Sequence, residues 1–248
     1  SSPSISNNII TANHALYQGG GVWIENSTAT LSNTKITNNT SVGAGSGIFA
    51  NDDAQAILYN CEISGNFSYP SENTGAGDGG GVFVKGITGH MTEVIVNNTI
   101  FENNFNMQGG GLYIGRYTNG VVDKCIFKNN KAHFSGGGSF KGGAFYDCLG
   151  ETAAYSYCVF VGNEAGVDRD GSVLPTFGWG GAFCTRLFPR ATFTNCTFLN
   201  NGVYGDNTKG DAFYSHHEGT HYNDPNMRSE FSNCLFWGTA GSDIQINV

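Results

Sequence analysis

One six-residue pattern recurs along the chain and constrains its fold more than any other feature. Each copy has Cys or Thr first and Phe or Ile third, and its first position is held by Thr34, Cys61, Thr99, Cys125, Cys158, Cys196 and Cys234. The sixth position is Asn in all but the last copy: Asn39, Asn66, Asn104, Asn130, Asn163 and Asn201. Successive asparagines are 26 to 38 residues apart, too close for a strand–helix–strand unit in every repeat. Such a repeat predicts a solenoid of stacked units.

A second marker is a glycine, replaced by Asp211 in the last copy, followed by three mostly apolar residues. The middle one is aromatic in every copy: Trp23, Phe49, Phe83, Tyr113, Phe145, Phe183 and Phe213. With the segment before the Cys/Thr position, each unit has three short runs of alternating character, which are typical of strands. We therefore predict an all-β, right-handed parallel β-helix of about seven coils forming one domain over residues 1–248. The handedness follows from the general preference of parallel crossovers.

Stacking of coils turns each recurrent position into a column. The six asparagines Asn39, Asn66, Asn104, Asn130, Asn163 and Asn201 are predicted to form a hydrogen-bonded ladder at the end of a strand, where Asn also tolerates a left-handed turn. Five cysteines share one inward column with parallel Cβ vectors, which favours free buried thiols. Whether Cys148 and Cys184 pair stays open. The aromatic column is interpreted as core, and an exposed strip for sugars or proteins is the alternative.

The glycine and Phe-x-x-Asn motifs together resemble a known surface-protein repeat. The matching segments are 142–145 and 180–183 for Gly-Gly-Ala-Phe, and 101–104, 127–130, 160–163 and 198–201 for Phe-x-x-Asn. They closely resemble the repeats of the chlamydial polymorphic outer-membrane protein passengers. The final stretch, 233–238 followed by 242–244, is also similar to bacterial surface β-helix proteins with a C-terminal sorting anchor. These resemblances imply adhesion or surface structure and no catalytic motif.

Composition narrows the class of partner. A formal charge of −8 makes a nucleic acid or an anionic membrane surface an unfavourable partner. No apolar run could span a bilayer and the first residues do not resemble a signal peptide, so we expect either a mature chain or a fragment of a longer one. The resemblances imply an extracellular or cell-surface location. Sequons that would accept a glycan in such a compartment begin at Asn26, Asn38, Asn39, Asn66, Asn97 and Asn195.

Length variation locates the adaptable surface. Between each asparagine and the next glycine motif lie 6 to 17 residues, so insertions collect at one corner of the coils, which often forms the binding face. Aromatic residues there are the predicted contacts: Tyr69, Phe177 and Trp179. The longest insertion also holds Asp168, Asp170 and Ser172, spaced like the start of a calcium loop. A solvated turn is the reading we favour for them, so no cofactor is expected.

Three functions fit these features. A non-catalytic surface adhesin that binds a host protein, a glycan or a neighbouring protein ranks first. A filament subunit that associates end to end ranks second, because uncapped coils expose strand edges. A carbohydrate-active enzyme ranks third, since its carboxylates do not assemble into one constellation. If a catalytic centre exists, Asp147, Arg186 and Arg190 are our first choice.

Overall fold

A computed structural model describes most of the chain. The described residues are 1–68, 77–132, 139–148, 152–167, 177–186, 191–205, 208, 210–216, 229–238 and 244–247. They contain strands and no helix, and all strand-to-strand pairing between the named strands is parallel. Each strand pairs with its counterpart from the coil before and the coil after, as the repeat predicts. The predicted parallel β-helix is confirmed.

Each coil passes through four sheets, here called A, B, C and D in the order the chain meets them. Sheet A contains β1 (Ser4–Ser6), β5 (Thr28–Ser32), β9 (Gln55–Tyr59), β13 (Thr92–Asn97), β17 (Thr118–Asp123), β22 (Thr152–Ser156), β27 (Ala191–Thr194) and β31 (Glu230–Ser232). Sheet B contains β2 (Ile9–Thr11), β6 (Lys35–Thr37), β10 (Glu62–Ser64), β14 (Ile100–Glu102), β18 (Ile126–Lys128), β23 (Val159–Val161), β28 (Thr197–Leu199) and β32 (Leu235–Trp237).

Sheet C contains β3 (His14–Ala15), β7 (Thr40–Ser41), β11 (Phe67–Ser68), β15 (Phe105–Asn106), β19 (Lys131–Ala132), β24 (Glu164–Ala165) and β29 (Gly202–Val203). Sheet D contains β4 (Val22–Glu25), β8 (Ile48–Asn51), β12 (Val82–Lys85), β16 (Leu112–Ile114), β21 (Phe145–Cys148), β26 (Phe183–Arg186), β30 (Phe213–His216) and β33 (Ile244–Asn247). A further pair is β20 (Ser139–Lys141) with β25 (Phe177–Trp179). We predicted three strands per coil and missed sheet C, because strands of two residues show no alternation.

The core is a continuous apolar column inside the coils. The Phe/Ile position of sheet B stacks ring on ring: the centroids of Phe101 and Phe127 are 4.5 Å apart, and those of Phe127 and Phe160 are 5.0 Å apart, with interplanar angles of 5° and 8°. Sheet A adds a second stack, in which Tyr155 and Phe193 lie 4.7 Å apart. The rings above and below shield each ring from water. Stacking between coils is therefore the main apolar contact.

The asparagine ladder runs along the corner between sheets B and C. Asn66 Nδ2 donates to Asn104 Oδ1 at 3.0 Å and to the carbonyl of Ile36 at 2.8 Å, and Asn66 Oδ1 accepts from the backbone N–H of Asn39. The same bonds recur down to Asn201. The left-handed residue is the one before the ladder asparagine, such as Asn38 or Asn103, and not the ladder residue itself. Our assignment of the left-handed turn was thus wrong by one position.

The aromatic column predicted from the glycine motif is in fact two columns. Leu112 pairs with Phe145, and Tyr113 pairs with Tyr146, so our alignment slipped by one residue between these coils. The landmark that both coils share is a left-handed glycine three residues before the paired residues: Gly109 before Leu112, and Gly142 before Phe145. A slip of one residue moves a side chain to the other face of a sheet. The aromatic residues that face the core are Phe145, Phe183 and Phe213, and those on the outer face of sheet D are Trp23, Phe49, Phe83 and Tyr113.

All seven cysteines are free. The thiols of the predicted column donate to backbone carbonyls: Cys61 Sγ lies 3.4 Å from the Leu31 oxygen, and Cys158 Sγ lies 3.4 Å from the Val122 oxygen. Cys184 sits beside Tyr146 in the register and not beside Cys148, so those two cysteines do not form a disulfide. The chain is held together by stacking and hydrogen bonds.

Links between sheets D and A also vary in length. β8 and β9 are joined by residues 52–54, whereas β12 and β13 are joined by residues 86–91. The longer link is a small hairpin, closed by an antiparallel bridge between Ile87 and His90 with Gly89 in a left-handed conformation. The hairpin contacts the preceding coil through His90, whose Nδ1 lies 2.5 Å from Asp53 Oδ2.

Candidate binding groove

A shallow groove of about 430 Å³ follows the corner between sheets A and B. It runs across successive coils, so its length follows the stacking spacing of about 4.8 Å per coil. The residues that line it come from equivalent positions of these coils: Asn33, Thr34, Lys35, Asn60, Cys61, Glu62, Asn98, Thr99, Ile100, Lys124 and Ile126. The groove is therefore a product of the repeat, in which each coil contributes the same few positions.

The left-handed corner residue of each coil supplies the polar edge of the groove. Asn33, Asn60 and Asn98 have φ of 48°, 52° and 49°, a conformation that Asn tolerates better than most residues. Asn60 Nδ2 donates to Asn33 Oδ1 at 3.3 Å, and Asn98 Nδ2 donates to Asn60 Oδ1 at 2.6 Å. Unlike the inner ladder, these three amides are exposed, so their second proton and second lone pair face solvent.

Charged side chains lie on the sheet B side of the groove. Lys35 Nζ is 2.7 Å from Glu62 Oε2. The hydrogen bond from Lys35 lowers the pKa of the Glu62 carboxyl, which keeps it ionised. Lys124 occupies the same corner as Asn98 in the next coil, and its Nζ lies 3.3 Å from Asp123 Oδ2. Both signs of charge are therefore available at fixed positions.

Apolar surface flanks this polar edge. Ile100 and Ile126 are 39% and 38% exposed on the outer face of sheet B, in neighbouring coils. Tyr59 ends β9 directly before Asn60 and is 41% exposed. Tyr157, at 58% exposed, occupies the corner position one coil beyond Lys124. An open groove with a polar edge and aliphatic or aromatic flanks can satisfy the hydroxyl groups and the C–H face of a ligand together.

A family comparison agrees with this architecture. The family model described as "Right handed beta helix region" matches residues 1–178. The chain belongs to the right-handed β-helix family. Neither curated proteins nor solved structures gave a match. The predicted handedness is thereby confirmed for this β-helix.

Several predicted contact residues fall outside what the structure describes. These are Tyr69 and the calcium-loop candidates Asp168, Asp170 and Ser172; for Phe177 only the backbone is described. Trp179 is described and is partly buried: its ring packs 5.3 Å from the Tyr214 ring, and Lys141 Nζ lies 5.0 Å from it. The geometry of Trp179 therefore fits a packing role on the outer face of sheet D better than a contact with a partner.

The β-helix separates the six sequons into three groups. Asn26 and Asn38 are exposed at corners, whereas Asn97 and Asn195 are half-buried. Asn97 Nδ2 also donates to Asp123 at 2.9 Å. Asn39 and Asn66 are completely buried in the inner ladder, so a glycan on either is incompatible with the folded β-helix. Their inclusion among the glycosylation candidates was wrong.

The catalytic alternative placed on Asp147, Arg186 and Arg190 gains no support. Asp147 is 1% exposed and pairs in register with Ile114, which puts it in a core column and away from a substrate. Arg186 lies one coil further on, beside Cys148, and Arg190 is outside the described residues. Among the described residues that line the groove, Glu62 is the one carboxylate, so the groove offers no pair of acids.

The groove was missed from the sequence although its signal was present. Asn33, Asn60 and Asn98 each precede the first position of the six-residue pattern, and Asn195 and Asn233 do the same in later coils. A second recurrent asparagine column indicates a second left-handed corner, and the exposure of Asn33, Asn60 and Asn98 distinguishes it from the inner ladder.

Among the residues that the structure describes, no helix is long and apolar enough to cross a membrane.

Proposed function

We propose that this chain is a non-catalytic, extracellular or cell-surface adhesin-type module that binds a glycan in the groove between sheets A and B. The observation that carries the proposal is the exposed row of Asn33, Asn60 and Asn98 along that groove. Amides both donate and accept hydrogen bonds, as sugar hydroxyls do, and their spacing repeats along the axis as the units of a polymer repeat. A host or neighbouring protein is the other class of partner that the resemblance implies.

The chemistry of the groove favours binding over hydrolysis. General acid catalysis needs a carboxyl whose pKa is raised, together with a second acid at a set distance. Glu62 has the opposite shift, since the hydrogen bond from Lys35 lowers the pKa of its carboxyl. The charge of −8 argues against long polyanions as the main ligand, and neutral or cationic sugars fit better.

The test compares two corners of the same coils. Asn98→Gly with Lys124→Gly removes two groove side chains while glycine keeps the left-handed backbone. Asn103→Gly with Asn129→Gly does the same at the other corner of those coils, away from the groove. On a glycan array, binding by the first double variant should fall at least about tenfold, because two or three hydrogen bonds of ~1 kcal/mol are lost. The second double variant should bind as the unmodified chain does.

Equal binding by both double variants would contradict the groove as the site. No binding to any glycan or cell surface by the unmodified chain, with regular fibres in electron micrographs, would instead favour the filament function. Release of reducing ends from a bound glycan would favour the enzyme.

A further inference from the structure

The hairpin of residues 86–91 brings His90 to Asp52 and Asp53, two adjacent residues that lie far from it in the sequence. Asp52 and Asp53 follow β8, and His90 lies in the next coil. His90 Nδ1 lies 2.5 Å from Asp53 Oδ2 and 3.5 Å from Asp52 Oδ1. One donor atom from each of the three residues falls within 4.8 Å of the others. Two carboxylates and an imidazole form a ligand set of the kind that binds zinc and similar divalent transition metals.

The carboxylate of Asp52 is held in place from the side opposite the histidine. Asn26 Nδ2, one coil earlier, lies 3.4 Å from Asp52 Oδ2 and leaves Oδ1 directed at His90. Asp52 Oδ1 is shut off from solvent and receives no hydrogen bond. A buried carboxylate oxygen without a donor carries a desolvation cost that a cation would relieve. The Asp52 side chain as a whole is 27% exposed, so the loss of solvent is confined to the oxygen that faces His90.

The hairpin that carries His90 is fixed on its other side as well. Gly86 N–H donates to the carbonyl of Arg116, and Thr88 Oγ1 donates to Tyr117 Oη at 3.3 Å, both in the following coil. Thr92 N–H donates to the carbonyl of Tyr117. His90 is thus presented to Asp52 and Asp53 by a link anchored to the next coil, which limits the rearrangement that a ligand would require.

The distances suit a small tetrahedral ion after one side chain moves. Ligand atoms around zinc at bonds of ~2.0 Å are about 3.3 Å apart, close to the present separation of Asp52 Oδ1 and His90 Nδ1. Asp53 Oδ2 would move about 1 Å away from His90 Nδ1 and adjust toward Asp52, whose ligand atom lies within 4.8 Å of it, and the 48% exposure of the Asp53 side chain leaves room for this shift. A fourth position would remain open to water on the exposed side.

We propose that Asp52, Asp53 and His90 form a binding site for zinc or a similar divalent transition metal, which clips the corner of one coil to the hairpin of the next. Such an ion would replace the hydrogen bond between His90 and Asp53 by a bond to each. It would add a link between coils on an outer edge where the apolar core does not reach.

The experiment measures zinc binding by calorimetry on the full chain and on single variants. His90→Ala and Asp53→Asn should each lose one bound zinc per chain relative to the unmodified chain. His14→Ala is the matched control, because His14 is also exposed, on strand β3 of sheet C, but has Thr40 as its bonding partner and no carboxylate. It should bind zinc as the unmodified chain does. Far-UV circular dichroism before titration verifies that each variant is folded.

Two outcomes would overturn the site. One is an unchanged zinc stoichiometry and affinity in His90→Ala and Asp53→Asn, which would place any bound zinc on other histidines such as His216. The other is an anomalous difference map of zinc-soaked crystals with no peak between Asp52, Asp53 and His90. A peak there, with the loss in both variants, supports the proposal.

Discussion

At the scale of single residues, Asp78 is a carboxylate that has lost hydration in the folded chain. It lies in the segment just before a glycine motif, and these segments bond to one another from coil to coil: Gly45 N–H donates to the carbonyl of Asp78, and Gly79 N–H to that of Gln108. Part of Asp78 reaches solvent, but its Oδ1 is shut off and receives no hydrogen bond. Loss of hydration raises the pKa of Asp78 to about 7, against the attraction of Lys141 and Lys85.

The raised pKa of Asp78 makes the free energy of unfolding depend on pH. The folded pKa of Asp78 lies above the ~3.9 of an unfolded Asp, so the folded chain binds the extra proton between those values. The contribution of Asp78 to the free energy of unfolding therefore falls as the pH rises from about 4 to about 7, and is level above that. Asp78→Asn should remove this fall, so the variant gains about 1–3 kcal/mol relative to the unmodified chain between pH 4.5 and 7.5 in urea unfolding.

Asp123→Asn is the control of opposite sign. The hydrogen bond from Ser156 lowers the pKa of Asp123, so its contribution is present at neutral pH and is lost as the solution becomes acidic. A free-energy difference between Asp78→Asn and the unmodified chain that stays constant over this pH range would show that Asp78 is not perturbed in the folded state.

At the scale of elements, two asparagine rows with similar sequences have different energetic roles. Asn66 is completely buried and its side chain takes part in four hydrogen bonds, whereas Asn60, earlier in the same coil, is exposed. A buried ladder satisfies backbone and side-chain groups that would otherwise be unpaired, and an exposed row exchanges its bonds with water. The inner row should therefore hold the coils together, while the outer row is free to serve recognition.

The matched pair Asn66→Ala and Asn60→Gly tests this difference within one coil. Asn66→Ala leaves buried donors and acceptors of Asn39 and Ile36 unpaired and should lower the free energy of unfolding by about 2–4 kcal/mol. Asn60→Gly keeps the left-handed backbone and loses exposed bonds, so its cost should stay below about 1 kcal/mol. Urea unfolding at one pH measures both. Comparable losses in the two variants would contradict the assigned roles.

The same elements show what the sequence could and could not predict. The six-residue pattern predicts the stacked strands, the inner ladder residues and the thiol column, because side-chain character repeats at fixed spacing within each copy. Sheet C escaped because its strands have two residues, and the slip between Tyr113 and Phe145 arose because three small residues precede both motifs. The His90 cluster was out of reach, since hairpin placement depends on contacts with Tyr117 and Asp53 in other coils.

At the scale of the whole molecule, cohesion comes from neighbour-to-neighbour contacts and not from covalent links. One apolar cluster extends from Ile24 to Phe213, and its rings stack from coil to coil. In such a solenoid each coil is stabilised by the two beside it. Five free thiols lie along this column, and Cys148 and Cys184 lie in the outer cluster on sheet D. Together they report whether the coils are intact over the length of the solenoid.

Thiol reactivity should therefore follow burial along the entire molecule. Five thiols are buried in the folded chain, and these are Cys61, Cys125, Cys158, Cys184 and Cys196. Burial raises the pKa of Cys184. The hydrogen bond with Cys125, together with burial, raises the pKa of Cys158 to about 12. Little thiolate of either residue therefore exists at pH 8. With a maleimide at pH 8, Cys148 and Cys234 should react first, and the other five only after unfolding.

Mass spectrometry of peptides after timed labelling identifies which thiols have reacted. Because the folded chain has no disulfide, urea unfolding should have the same midpoint with and without a reducing agent. Early labelling of Cys158 would mean that the coils around it open readily, since the thiolate that reacts forms only on exposure. A peptide linking Cys148 to Cys184 would contradict the register of sheet D, in which Cys184 lies beside Tyr146 and Cys148 beside Arg186.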